Sequence, residues 1–390
     1  MTLRLRTVLL AAAVASFATA AGAQEKLKVG VMATLSGPAA VLGQHMRDGF
    51  QLGVKQLGGK LGGLETEVVI ADDELKPDVG VNKIKGLLEN DKVDVMVGVI
   101  FSNVMMAIAK PIFDSKTVVI SPNAGPSPLA GKGCSPYFAS TAWQNDQNHE
   151  AMGKYAQDAG YKKIVLVAPN YQAGKDSMAG FKRHFKGEVA EEIFNQVNQL
   201  DFSAEIAKIA ALKPDAVFAF EPGGMGVNFV KQYAQAGLAG KTPFLSAFTV
   251  DETTLPATQD AAVGLLSGAQ WAPNLDNPVS KKFVAEFEAA YKYVPALYAA
   301  QGYDAALLID AAIKAAGGKK DKEAIREGIR KASFTSVRGG AFKLNNNGFP
   351  LQDVYVVKAV KRADGKYATE IVQKVFTNFA DAYAKDCEMK

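Results

Sequence analysis

Short apolar runs of strand length alternate with helix-period stretches along this chain, and they do so in two successive sets. Residues 29–32, 67–71, 93–99 and 117–120 read as strands, separated by helical patterns at 44–57, 79–90 and 103–114. The second set has strands at 164–168, 193–197, 216–220 and 244–247, with helices at 148–159, 175–185, 204–212 and 225–236. Strands separated by helices need right-handed crossovers, which impose parallel pairing. Two such sets predict an α/β chain of two similar doubly wound lobes, each with a parallel-sheet core. Helical patterns at 279–291, 301–316 and 322–332 follow, then strand-like segments at 354–360 and 370–375.

The first unit is the best defined. Residues 27–59 run from an apolar strand through Ser36-Gly37-Pro38 into a helix on which Met46, Phe50, Val54 and Leu57 share one face. Gly49 and Gly53, four apart, predict close approach of that helix to a sheet. A strand-to-helix loop lies at the carboxyl edge of a parallel sheet, where open α/β folds bind ligands.

Arg4 and Arg6, an apolar stretch at 8–18 and Ala21-Gly22-Ala23 form a secretory leader pattern, predicting cleavage before Gln24 and a periplasmic mature protein. The apolar stretch is too short for an ordinary membrane span, and no later one runs about 18 residues without a charge. Loss of the leader takes two arginines and brings the formal charge from +4 to +2. That balance, without a basic stripe interleaved with aromatics, argues against nucleic acid. Cys134 and Cys387 are the two cysteines. In an oxidising compartment they form either a bridge tying the C-terminal tail to the first half or two unpaired thiols. With no C-x-x-C and with His45, His149 and His184 scattered, no metal or cofactor is expected.

The ordered series VGVMATLSGPAAVLGQ, Asp72-Asp73 with Pro77, VGVIFSN, VISPNAGPSP, VLVAPNYQAGKDSMAGF, KPDAVFAF, VKQYAQAGL, TPFLSAF and Tyr303-Asp304-Ala305 resembles the periplasmic solute-binding proteins of ABC importers. The likeness is to the leucine/isoleucine/valine-binding class and spans residues 27–360. It implies a type I periplasmic binding protein, whose lobes are joined by a three-stranded hinge and close on a ligand. Carried onto this chain, the crossings fall near 143–147, 271–274 and 339–343. Residues 24–143 plus 272–340 then make lobe 1, residues 144–271 plus 341–376 make lobe 2, and 377–390 form a C-terminal tail.

The same resemblance points to the cleft. Ser102 matches a serine that holds the ligand carboxylate; with Phe101 and Asn103 it precedes a helix, whose amides suit an anion, although capping the helix is its alternative role. The next strand ends in Asn123-Ala124-Gly125, where amino-acid binders use backbone groups and a threonine hydroxyl at the position of Gly125. Asn123 can donate and accept, or serve a local turn. Phe248 stands where those binders carry an acid facing the α-ammonium, with Thr249 and Asp251 close by in sequence. Phe101, Trp143, Tyr171, Phe220, Phe248 and Tyr298 together suggest a flat apolar slot, although any one of them also suits an ordinary core. Glu221 could accept from a hydroxyl or amino group, or be solvated.

These features resemble the aromatic-acid branch of the family: a monomeric, non-catalytic receptor taking a small, benzoate-like carboxylate to an ABC permease. A branched-chain or other aliphatic amino acid is the second reading, with Glu221 or Asp251 supplying the missing charge. Against a secreted hydrolase, G-x-S-x-G, H-E-x-x-H and S-x-x-K sets are absent. The Asp72-Asp73 pair reads as the end of a strand rather than a catalytic pair, since neighbours on a strand face opposite ways.

Overall fold

A computed structural model describes residues 26–389; the expected leader lies outside the described residues. Its first sheet contains β1 (Leu27–Ala33), β2 (Lys60–Leu61), β3 (Leu64–Asp72), β4 (Val95–Val97), β5 (Val118–Ser121) and β6 (Phe138–Ser140). Their spatial order is β2-β3-β1-β4-β5-β6, parallel except for the β2–β3 hairpin. The second sheet contains β7 (Lys163–Pro169), β8 (Glu188–Asn195), β9 (Ala216–Ala219), β10 (Phe244–Ala247), β11 (Leu266–Ala269), β12 (Gln352–Lys361) and β13 (Tyr367–Phe379). Its order is β13-β12-β11-β10-β9-β7-β8. The two expected parallel cores are therefore present, and the second ends in an antiparallel edge formed by β11, β12 and β13. Each parallel core strand is a short apolar run because helices cover both faces of the sheet.

The helix Ala40–Gln56 packs differently from expectation. A Cβ on Gly49 would lie 2.0 Å from the Ala299 carbonyl oxygen, and one on Gly53 would lie 2.7 Å from the Ala306 Cβ. The close partner is thus the helix Leu297–Ala315, not a sheet. Gly302 returns the contact, its missing Cβ admitting the Met46 carbonyl. Periodicity marks a close-packing face but not which element occupies it.

Three segments pass between the sheets. The first follows β6 into the helix Asp146–Asp158, and the second follows β11 into the helix Pro278–Tyr291. On the third, residues 344–350 stay against the first sheet: Ser140 N donates to Gly348 O, and the Phe138 and Phe349 rings lie 5.2 Å apart. The chain then enters the second sheet at Gln352. Arg338 binds this region together, donating to the carbonyls of Thr141 and Ala142, to Gln352 Oε1 and to the Asp304 carboxylate. Beyond β13 the tail runs back to the first sheet, where Cys387 is disulfide-bonded to Cys134. Among the described residues no helix is long and apolar enough to cross a membrane.

Candidate functional site

The carboxyl ends of both sheets face each other across a narrow cleft. The lobes touch around it, with Gly224 N donating to Pro38 O at 3.1 Å and Ser127 Oγ to Asp176 Oδ1 at 2.7 Å. Nine of the sequence candidates line this cleft: Phe101, Ser102, Asn123, Ala124, Trp143, Tyr171, Phe220, Phe248 and Tyr298. They come from strand ends and helix starts up to 197 positions apart, brought together because the carboxyl ends of the parallel strands share one edge.

The aromatic members enclose a slot. Trp143 lies against Phe248 at 4.5 Å between ring centroids, with Tyr298 edge-on to Trp143 at 6.4 Å. Tyr171 and Phe220 stack at 6.2 Å, and Phe101 leans on Tyr171. Phe248 adopts φ +60°, a left-handed conformation that costs a non-glycine residue about 1–2 kcal/mol. This kink immediately follows β10, and the ring that follows it is part of the slot wall. Burial pushes the phenols of Tyr171 and Tyr298 upward, so both stay neutral donors at physiological pH.

Ser102 begins the helix Ser102–Asp114, whose N-cap is Phe101, and no side-chain capping bond is made. The capping role is therefore not the one Ser102 plays. Its Oγ accepts from Asn145 Nδ2 at 3.1 Å, which leaves its own proton to be donated elsewhere. Met105 N is the first helical amide to find an intrahelical carbonyl, that of Phe101. The amides before it belong to the unpaired first turn, where the helix dipole favours an anion. Asn123 donates from Nδ2 to Ile100 O, while its Oδ1 is buried without a partner among the described residues.

Three candidates lie outside the lining. Asn103 is the second residue of the same helix, but its side chain is not part of the cleft wall. Gly125 exchanges backbone and side-chain bonds with Asn145, and a Cβ there would lie 2.1 Å from the Trp143 carbonyl oxygen. The hydroxyl expected of an amino-acid binder has no room at this position. Glu221 is fully buried behind Phe220, with Oε2 accepting from Asn195, and burial pushes its carboxyl well up. It is therefore not the solvated glutamate that was one of the two expectations.

His149 and Asn145 also line the cleft, beyond the residues to which the sequence points. Burial pushes His149 down to about 3, so it is neutral, wedged among Phe218, Phe220 and Phe248. Both residues lie at or near the start of a helix leaving the first crossing, which was the available signal. Among the described lining residues there is no Asp, Glu, Lys or Arg. Asp73, the suspect carboxylate, is instead held by the Thr34 hydroxyl and Leu75 N. No described cluster of His, Cys, Asp and Glu could hold a metal.

Two open sheets closing on a shared, largely apolar cleft define a two-lobe ligand-binding protein. The chain belongs to the periplasmic binding protein family, which matches residues 26–366. Its sequence is 29% identical to Leu/Ile/Val-binding protein homolog 6 of Brucella melitensis over 377 residues, 94% of this chain and 96% of the relative. A solute-binding protein of an R. palustris ABC transporter, solved in complex with benzoate, is 35% identical. Its TM-score is 0.88, over 94% of this chain and 100% of that one. Another, from Rhodopseudomonas palustris BisB5 in complex with 3,4-dihydroxybenzoic acid, is 29% identical with a TM-score of 0.86, covering 92% and 99%.

Proposed function

We propose that this chain is a non-catalytic periplasmic receptor for a benzoate-like aromatic carboxylate, which it delivers to an ABC permease. The single observation that carries the reading is the combination in one cleft of an aromatic slot, an unpaired helix start beside Ser102, and no charged lining side chain. The ring fills the slot between Trp143, Phe248, Tyr171 and Phe220. The carboxylate faces the Ser102 hydroxyl and the first-turn amides, which supply charge-assisted hydrogen bonds without a cation. Phe101, Asn123, Ala124 and Tyr298 complete the enclosure. The benzoate-bound relative supports this reading through its likeness over nearly the whole chain. The leader pattern over residues 1–23 supports export, and a monomer with two separately moving lobes suffices for the task.

The names of the sequence relatives favour a second reading, a branched-chain amino acid. That ligand brings an ammonium, whose burial without a counter-charge is costly. Glu221 and Asp251 are the residues the sequence offers to supply it. Burial pushes the Glu221 carboxyl well up, which weakens it as a counter-ion. Asp251, pushed up to about 6, already accepts from Thr253 N and Oγ1.

Calorimetric titration with benzoate, 4-hydroxybenzoate and leucine tests the proposal. Benzoate-type acids should bind and leucine should not. Ser102→Ala should weaken benzoate binding about 10- to 150-fold, the equivalent of about 1.5–3 kcal/mol for a hydrogen bond to a charged group. Tight leucine binding with no response to aromatic acids would refute it.

A further inference from the structure

Asn145 is 4% exposed and sits in the first crossing between the lobes, as N-cap of the helix Asp146–Asp158. Every hydrogen-bonding group of its side chain is committed. Its Oδ1 accepts from Gly125 N at 3.0 Å, which fixes the orientation of the amide. Its Nδ2 then donates both protons, one to Ser102 Oγ at 3.1 Å and one to Asp176 Oδ2 at 2.8 Å. Ser102 belongs to the first lobe. Asp176 belongs to the helix Gln172–His184 of the second.

Asp176 is 3% exposed and takes more than this one bond. Ser127, the first residue of the short helix Ser127–Ala130 on the first lobe, donates to it from N at 3.1 Å and from Oγ at 2.7 Å. Gln172 Nε2 adds a further donor at 2.8 Å from the same lobe as Asp176. A buried carboxylate needs several donors to offset its lost hydration. Here the Ser127 donors lie across the cleft and are withdrawn when the lobes part. Without them Asp176 keeps one donor on each oxygen, Asn145 on Oδ2 and Gln172 on Oδ1, so closure doubles its donors.

We propose that Asn145 and Asp176 form a latch that couples capture of the ligand's carboxylate to closure of the lobes. It rests on the carboxylate-binding reading given above. Because Ser102 Oγ accepts from Asn145, its hydroxyl proton is aimed away from that bond and is available to the cleft. The hydroxyl is thereby a donor and favours a ligand that only accepts. Asp176 holds Asn145 in this orientation from the second lobe, so the donor is best set when the cleft is shut. Asn145 and Asp176 are positioning residues, acting through Ser102 and Ser127.

Stopped-flow binding on the full mature chain tests the latch, with benzoate as first probe and leucine, which carries the same carboxylate, as second. Ser127→Ala and Asp176→Asn should each raise the dissociation rate about tenfold and leave the association rate within about twofold, since the latch forms after encounter. The double variant should be no worse than the worse single, because both act through one network. Asn145→Ala should reduce the preference for benzoate over benzamide about tenfold. The two ligands have one shape, so a merely structural loss would weaken both alike. Unchanged dissociation rates in Ser127→Ala and Asp176→Asn, or equal weakening of benzoate and benzamide in Asn145→Ala, would overturn the latch. If wild type captures leucine and not benzoate, the ligand reading fails and the rate comparison with leucine still decides the latch. If it captures neither, both fall.

Discussion

Replacing Arg338 by methionine would leave Asp304 buried without its counter-charge at the point where the first and third crossings meet. The pair is 3.1 Å apart, with the arginine side chain 9% and the aspartate 0% exposed. Breaking a buried pair by removing one partner costs about 3–5 kcal/mol. The same change frees the Thr141 and Ala142 carbonyls, although Ala142 keeps a bond from Gln352 Nε2. An unfolding entropy near 2 cal/mol/K per residue converts that cost to a fall in melting temperature of about 4–7 °C if both lobes unfold together, or about 8–13 °C if one lobe does. Burial already pushes the Asp304 carboxyl up, while Arg338 and the Ser336 and Val337 donors pull it down. Without Arg338 its folded pKa rises further above the unfolded value. Stability from that group is then present at low pH and lost as pH rises through the folded pKa, so the penalty should be larger at pH 7 than at pH 5. Adding Asp304→Asn to Arg338→Met removes the orphaned charge but keeps an acceptor for Val337 N, and should recover most of the loss. Calorimetric unfolding of wild type, both singles and the double variant measures this cycle. Arg338→Met melting with wild type, or a double variant no more stable than that single, would show that Asp304 does not depend on its counter-charge.

Glu252 is fully buried, with Oε1 accepting from Thr369 N and Oγ1, and burial together with the neighbouring Asp251 pushes it up to about 7. A raised carboxyl contributes stability below its unfolded pKa that disappears as pH rises through the folded one. Glu252→Gln should therefore become progressively more stable than wild type from about pH 4.5 to 7 and hold a constant advantage above, as read from melting temperatures across that range. Gly125→Thr, which adds back the hydroxyl of an amino-acid binder, should cost about 3 kcal/mol through the clash with Trp143 O and confer no leucine binding. Thermal unfolding and titration with leucine check both halves of that expectation.

The parallel cores were legible because each central strand, such as Val95–Val97 or Ala216–Ala219, is buried on both faces and so reads as a short apolar run. Phe138–Ser140 and Leu266–Ala269 were not recognised as strands. Leu266-Ser267-Gly268-Ala269 has little strand propensity of its own and is fixed by β10 on one side and β12 on the other. Ser102 was visible because a helix start announces itself locally. Asn145 was not, since its partners Ser102 and Asp176 stand 43 and 31 positions away and only the fold brings them together. Glu221 shows the converse: its place at a strand end was legible, but its burial behind Phe220 depends on Asn195 and Thr249 from neighbouring elements.

The bond between Cys134 and Cys387 closes a covalent ring that takes in all three passages between the sheets. A single cut in any of them leaves two pieces still joined through sulfur. A protease that nicks the hinge of this protein thus produces a species that runs intact without reductant and as two fragments with it. In the chain-entropy view, a ring of this size also removes about 5 kcal/mol of freedom from the unfolded chain. Cleaved at the hinge, the second lobe remains tethered to the first and free to dock on it again.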